Sequence, residues 1–219
     1  MHRRIEPLRI AGPAGALEAQ LLSPERKRAG AALVCHPHPR HGGTMHTKAV
    51  YHAARGAARS GIPVLRFQFR GVGTSAGRYT AGPGERADAR AALRWLASRY
   101  PGEPLLAGGF SFGAWVGLAA AVEHDAVKGL YALAPPLRMY DFEFVGGERP
   151  LLCVAGDRDA FVSPDALRDF AARRDAECVL LPGAEHLLVT HLAALEDAVA
   201  SFTARVLDSG RMHPTSGGA

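Results

Sequence analysis

From about residue 29 to residue 206, short apolar runs alternate with segments of helical periodicity. That alternation restricts the chain to βαβ units around a mainly parallel sheet. Two strands come first: residues 3–10 and 16–22 read as edge strands joined by the turn Gly12-Pro13-Ala14-Gly15. Ala31–Cys35 is then the first fully buried strand. A helix over 44–60, with Thr44 as its N-cap and Gly61 as its stop, leads to a strand over 64–69. Next come a helix over 84–99 ended by Pro101-Gly102, a strand over 104–107, a helix over 112–123 and the strand Val127–Leu133. Residues 134–149 are irregular and contain Pro and Gly, so a cap could sit only there. The chain then gives a strand over 151–155, a helix over 164–173, the strand Glu177–Leu181 and a last helix over 187–206. The expected architecture is α/β: a mainly parallel central sheet, helices on both faces and a minimal cap.

Of the 219 residues, 47% are hydrophobic, enough to bury a full core without disulfides or metals. Residues 1–207 therefore read as a single domain, and the short polar stretch 208–219 reads as a disordered tail. The formal charge of +5 raises the question of an acidic partner. The arginines are scattered singly, however, and the longest basic run, Arg26-Lys27-Arg28, has no interleaved aromatic residues to stack on bases, so nucleic acid is not an expected partner. The three cysteines, Cys35, Cys153 and Cys178, each lie in an apolar run and are expected to be buried, reduced thiols. The first seven residues carry basic charges with no apolar stretch behind them, and no segment approaches the ~18 apolar residues of a membrane span. The expectation is a cytoplasmic protein without a membrane partner.

The segment Gly109-Phe110-Ser111-Phe112-Gly113 matches G-x-S-x-G and lies between a buried strand and an apolar helix, the context that motif requires. A nucleophile on so sharp a turn sits in strained backbone, and Gly109 and Gly113 remove the bulk that would obstruct it. The turn also sets Ser111 at a helix N-terminus, where free N–H groups favour negative charge. The plainer reading is a strand-turn-helix with a capping serine.

A serine nucleophile needs a base and an acid, and in this architecture they follow it in the order Asp or Glu, then His. After the strand ending near Ala155 comes Gly156-Asp157-Arg158-Asp159, and after the strand ending at Leu181 comes Pro182-Gly183-Ala184-Glu185-His186. All three loops fall at the carboxyl edge of the sheet. His186 is the expected base, ahead of His191 on the following helix. Asp159 is ranked ahead of Asp157 and Asp141 because it stands three residues past the strand-end glycine, with slack to reach His186.

An oxyanion hole needs one N–H from the residue after the nucleophile and one from the loop after the first central strand. Phe112 is the first donor. In that loop, 35–43, Pro37 and Pro39 have no N–H, which leaves His38 as the second. His36, His38, His41 and His46 also invite a metal reading, but no pair has i, i+4 helical spacing and no carboxylate or cysteine ligand lies within the loop, so no metal is expected. The G-x-G at Gly71 and Gly73 lacks a third glycine and an immediate helix, so it is a turn rather than a dinucleotide site. Arg40, Arg70 and Arg138 are candidate substrate contacts, with Arg70 also a candidate buttress.

Three segments together resemble the small, lid-poor α/β hydrolases related to dienelactone hydrolase: His36-Pro37-His38-Pro39 continuing to Gly42-Gly43-Thr44-Met45-His46, Phe69-Arg70-Gly71-Val72-Gly73, and Gly109-Phe110-Ser111-Phe112-Gly113-Ala114-Trp115. The resemblance covers about residues 3–206. It implies an α/β-hydrolase fold and a serine hydrolase of carboxylic esters with a Ser111, Asp159, His186 triad, a small-molecule ester substrate and no cofactor. Dienelactone hydrolase itself looks like a cysteine-nucleophile enzyme, and this chain carries Ser111 at the elbow, so lactone specificity does not transfer. The alternatives are a thioesterase or peptidase with the same residues, or a non-catalytic scaffold of this fold.

Overall fold

The computed structural model describes residues 4–209. Its strands are β1 (Ile5–Gly12), β2 (Gly15–Leu22), β3 (Ala31–Cys35), β4 (Val64–Phe67), β5 (Leu105–Phe110), β6 (Val127–Leu133), β7 (Leu151–Gly156) and β8 (Glu177–Leu181). They form one eight-stranded sheet in the order β1-β2-β4-β3-β5-β6-β7-β8. The β1–β2 and β2–β4 pairs are antiparallel, and all the others are parallel. This is the sheet of an α/β hydrolase. β2 lies inside it, between β1 and β4, and is not the edge strand expected.

The helices are α1 (Lys48–Arg59), α2 (Pro83–Arg99), α3 (Phe112–Ala121), α4 (Pro164–Ala172) and α5 (Leu192–Ser209). One face of the sheet is covered by α1 and α5, where Ala53, Ala57, Val199 and Phe202 pack with Val34, Leu106 and Leu152. The other is covered by α2, α3 and α4, with Leu93, Phe112, Val116, Leu167 and Phe170 against Leu33, Ala107 and Cys153. Strands β3 and β5 are buried throughout, which is why they read as unbroken apolar runs. The small residues of α1 allow α5 to approach: a Cβ on Gly56 would lie 2.4 Å from the Glu196 carbonyl oxygen.

Several boundaries differ from expectation; β4, for one, ends at Phe67 rather than at residue 69. β5 runs three residues beyond the expected end because its glycines join the strand, and a Cβ on Gly108 would lie 2.0 Å from the Tyr131 carbonyl oxygen. Thr44 does not cap α1, which begins at Lys48. Its hydroxyl accepts instead from the His46 N–H, while its own N–H donates to Thr47 Oγ1. Residues 187–191 are turns rather than helix, with Leu188 at φ 55°. α5 reaches Ser209, so Asp208 and Ser209 are helical rather than tail; residues 210–219, the rest of the expected tail, lie outside the described residues, as does residue 3 of the first expected strand. All three cysteines are free, but Cys178 is exposed because β8 is an outer strand.

Residues 134–149 make a short roof tied to the body at several points. Arg174, 5% exposed, donates to the carbonyls of Val145, Phe142 and Phe170, and Arg149 donates to that of Ala121. Tyr140 stacks on Trp115 at 4.3 Å, and Trp115 Nε1 donates to the Asp141 carbonyl. Among the described residues, no helix is long and apolar enough to cross a membrane.

Candidate active site

Ser111 stands between the end of β5 and the start of α3 with φ 55° and ψ −123°, a conformation non-glycine residues seldom adopt. The surrounding backbone holds it there: the Ser111 N–H donates to the Leu133 carbonyl at 2.8 Å, and the Ser111 carbonyl accepts from Ala114. The flanking glycines serve close approach. A Cβ on Gly109 would lie 2.5 Å from the Gly113 carbonyl oxygen, and one on Gly113 would lie 2.4 Å from that of His36. Strand, elbow and the loop after β3 are therefore packed backbone to backbone.

His186 follows β8 and Asp159 follows β7. Their loops close on each other: Arg158 N–H donates to the Ala184 carbonyl, and a Cβ on Gly156 would lie 2.0 Å from that same oxygen. His186 Nε2 lies 2.9 Å from Ser111 Oγ, and His186 Nδ1 lies 2.8 Å from Asp159 Oδ2. The Asp159 side chain is fully buried, and its other oxygen accepts from the Phe161 N–H at 2.8 Å. A carboxylate in that position accepts the Nδ1 proton, which leaves Nε2 to accept from the serine hydroxyl. The two rival acids are engaged elsewhere: Asp157 Oδ1 accepts from Gly183, and Asp141 Oδ1 accepts from Glu143.

Phe112 opens α3, where the first N–H groups have no carbonyl within the helix. His38 accepts at its own carbonyl from His41 and Gly43, while its N–H is used by none of the loop's hydrogen bonds. His36 orders the loop from below. It is fully buried, its Nδ1 meets the Pro37 carbonyl at 2.7 Å, and its Nε2 accepts from the Phe69 N–H at 3.0 Å. Burial pushes its pKa down to about 3, against a smaller opposing contribution from the Pro37 carbonyl, so the ring is neutral. Among the described residues, no three His, Cys, Asp or Glu side chains are grouped to hold a metal.

The three arginines are placed differently. Arg70 is bound bidentately by Asp88, whose side chain is fully buried, at 2.9 and 2.7 Å, so it buttresses the loop after β4 and is not free for a substrate. Arg40 is exposed and lies over the Tyr79 ring, and Arg138 is exposed with Nη1 on the Ala160 carbonyl. Sequence reasoning did not single out Tyr79, Tyr140 or Phe161. The Phe161 ring is 4.6 Å from that of His186, and both tyrosine rings are near that of Phe112. Their only sequence signal was an aromatic residue in a loop at the carboxyl edge of the sheet.

A mainly parallel eight-stranded sheet bearing a serine on the strand-to-helix elbow defines the α/β hydrolases, and the short roof makes this a lid-poor one. The chain belongs to the X-Pro dipeptidyl-peptidase (S15) family, whose sequence profile matches residues 15–187. It is 38% identical over 167 residues to an uncharacterized protein of Rickettsia prowazekii, a match spanning 74% of this chain and 70% of that one. Two solved structures are similar over nearly their whole length. An α/β serine hydrolase homologue from Coxiella burnetii superposes with a TM-score of 0.84 at 34% identity, covering 90% of this chain and 96% of that one. A serine hydrolase without a lid from Xanthomonas campestris gives 0.85 at 35% identity, covering 94% and 96%.

Proposed function

We propose that this chain hydrolyses carboxylic esters of small or short acyl groups, with Ser111 as nucleophile, His186 as general base and acid, and Asp159 as the group that orients the imidazole. One observation carries this reading: the unbroken hydrogen-bonded line from Ser111 Oγ through the His186 ring to a buried Asp159. Ser111 Oγ attacks the ester carbonyl carbon as its proton passes to His186 Nε2. The carbonyl oxygen takes up negative charge and accepts from the Phe112 and His38 N–H groups. Collapse breaks the bond to the alcohol oxygen, which leaves with the proton from His186. Water then repeats the sequence on the acyl-enzyme and frees Ser111. A short, pinned roof supports an open cleft suited to small acyl groups.

The test is labelling of the purified protein by a fluorophosphonate, with release of p-nitrophenol from acetate, butyrate and long-chain esters, in the parent and in Ser111→Ala. Labelling and turnover lost together in the variant support the reading. A parent that neither labels nor turns over favours a binding scaffold, and a marked preference for long-chain esters removes the small-acyl assignment.

The family name supplies a second reading, amide cleavage after an X-Pro dipeptide. Such a substrate brings a free, protonated amino group, which carboxylates recognise. The polar side chains beside Phe112 are His38, Tyr79 and Tyr140, with Arg40 over Tyr79, and the nearby Glu85 carboxylate is already occupied by Thr80 and Gly82, which favours the ester. Release of p-nitroaniline from X-Pro-p-nitroanilides faster than p-nitrophenol from the acetate ester would reverse that order.

A further inference from the structure

His38 is held from two sides. The Arg40 N–H donates to its Nδ1 at 3.2 Å, and Nε2 lies 2.8 Å from the Tyr79 hydroxyl. Burial first, then the neighbouring His41 and Arg40, lower the His38 pKa, so the ring is neutral at pH 7. With Nδ1 acting as acceptor, the single proton is on Nε2 and is donated to the Tyr79 oxygen. Tyr79 then keeps its own O–H to give, and among the described residues no group accepts it. Burial first and then Glu85 raise the Tyr79 pKa, against a smaller opposing effect of Arg40, which keeps the phenol protonated.

Two further donors share this side of Ser111. The Arg40 guanidinium lies 4.9 Å over the Tyr79 ring, and no ion pair to it is present among the described residues. Tyr140, from the roof, has its ring 6.0 Å from Phe112, and its hydroxyl has no partner among the described residues. Burial and then Tyr79 raise its pKa, so the phenol stays protonated. The Glu85 carboxylate accepts from the Thr80 N–H, the Thr80 hydroxyl and the Gly82 N–H, which occupies its oxygens, while its charge and that of Arg40 act on Tyr79 in opposite directions. The result is a fixed group of donors with the Arg40 guanidinium beside it. On the His186 side, Phe161 lies against the imidazole and Leu187 and Val189 are exposed, with the Arg138 guanidinium turned to the Ala160 carbonyl.

His186 must return its proton to the leaving oxygen, so the alcohol portion of an ester lies on the Phe161 side and the acyl portion extends toward Tyr79. We propose that the acyl portion of the substrate carries a carboxylate, which accepts from the Tyr79 hydroxyl and pairs with Arg40, while an apolar alcohol portion lies against Phe161. This rests on the ester-hydrolase reading and adds the substrate class to it.

The experiment compares kcat/KM within matched pairs of p-nitrophenyl esters: butyrate with hemisuccinate, valerate with hemiglutarate, hexanoate with hemiadipate. The parent should prefer the charged member of at least one pair by about tenfold or more, and the preference should shrink as salt is raised. Arg40→Gln and Tyr79→Phe should each bring that ratio down about tenfold, toward one. Reading a ratio, with melting temperature measured alongside, separates recognition from folding. A parent that favours the neutral ester in every pair, or an undiminished ratio in both variants, overturns the proposal. Fluorophosphonate labelling of Ser111 separates the two levels. A labelled, active parent with no charge preference removes only the carboxylate subsite, whereas an unlabelled, inactive parent removes the ester reading itself.

Discussion

Asp157 and Asp159 stand two residues apart on one loop and hold different things: Asp157 Oδ1 accepts the Gly183 N–H at 2.7 Å, while Asp159 Oδ2 meets His186 Nδ1 at 2.8 Å. The first fixes the backbone that delivers the histidine, and the second fixes its ring. Asp159→Asn should therefore lower kcat for p-nitrophenyl acetate by about 10³-fold or more with little change in melting temperature. Asp157→Ala should cost about 1 kcal/mol of stability and less than about tenfold in kcat. The reverse ranking would give the catalytic acid to Asp157.

The elbow makes a prediction that needs no activity. Ser111→Gly and Ser111→Ala both remove the hydroxyl and its bond to His186, and they differ in how each tolerates φ 55°. Glycine should be the more stable of the two by about 1 kcal/mol in urea unfolding. Equal midpoints would mean that the elbow stores no strain.

Gly113→Ala tests the packing of elbow against loop. Its Cβ would lie 2.4 Å from the His36 carbonyl oxygen and 2.5 Å from that of Cys35, and backbone cannot swing aside as a side-chain tip can. The variant should lose about 2 kcal/mol or more and label slowly with fluorophosphonate, because the loop carrying His38 is pushed away from Ser111. Parent-like stability and labelling would contradict the packing described.

His36 couples stability to acid. Its pKa is lowered to about 3 in the folded protein, so between pH 6.5 and 3 the unfolded chain binds a proton that the folded chain refuses. Its contribution is fully present above pH 6.5 and is lost as pH falls, reaching about 3 kcal/mol by pH 4. His36→Gln should flatten the stability curve over that window, as read by urea midpoints from pH 7 to pH 4. Parallel curves for parent and variant would show that His36 is protonated in the fold.

Much of the site was legible because Ser111, Asp159 and His186 each follow a strand at one sheet edge, and strand order carries over directly into spatial order. What escaped depended on tertiary contact. Gly108 and Gly109 look like turn residues, yet they continue β5 because neighbouring backbone comes too close for any side chain. Cys178 has an apolar setting in sequence, but only the sheet order reveals that β8 is outermost. Arg70 could have faced a substrate until Asp88, eighteen residues on, was seen to claim it. Tyr79 carries no local motif, and its place beside Phe112 exists only once the loop after β4 has folded back.

The three groups along the hydrogen-bonded line are unequally secured. Ser111 rises from β5, flanked by β3 and β6 and buried throughout, whereas His186 hangs from β8, an outermost strand whose first two residues are exposed. Fraying of that rim would detach the imidazole while the central sheet stayed intact. Inactivation should thus precede global unfolding as denaturant rises, with the amides of β8 exchanging ahead of those of β5, so that under the proposed function the working life of the site would be set at the rim of the sheet rather than in its core.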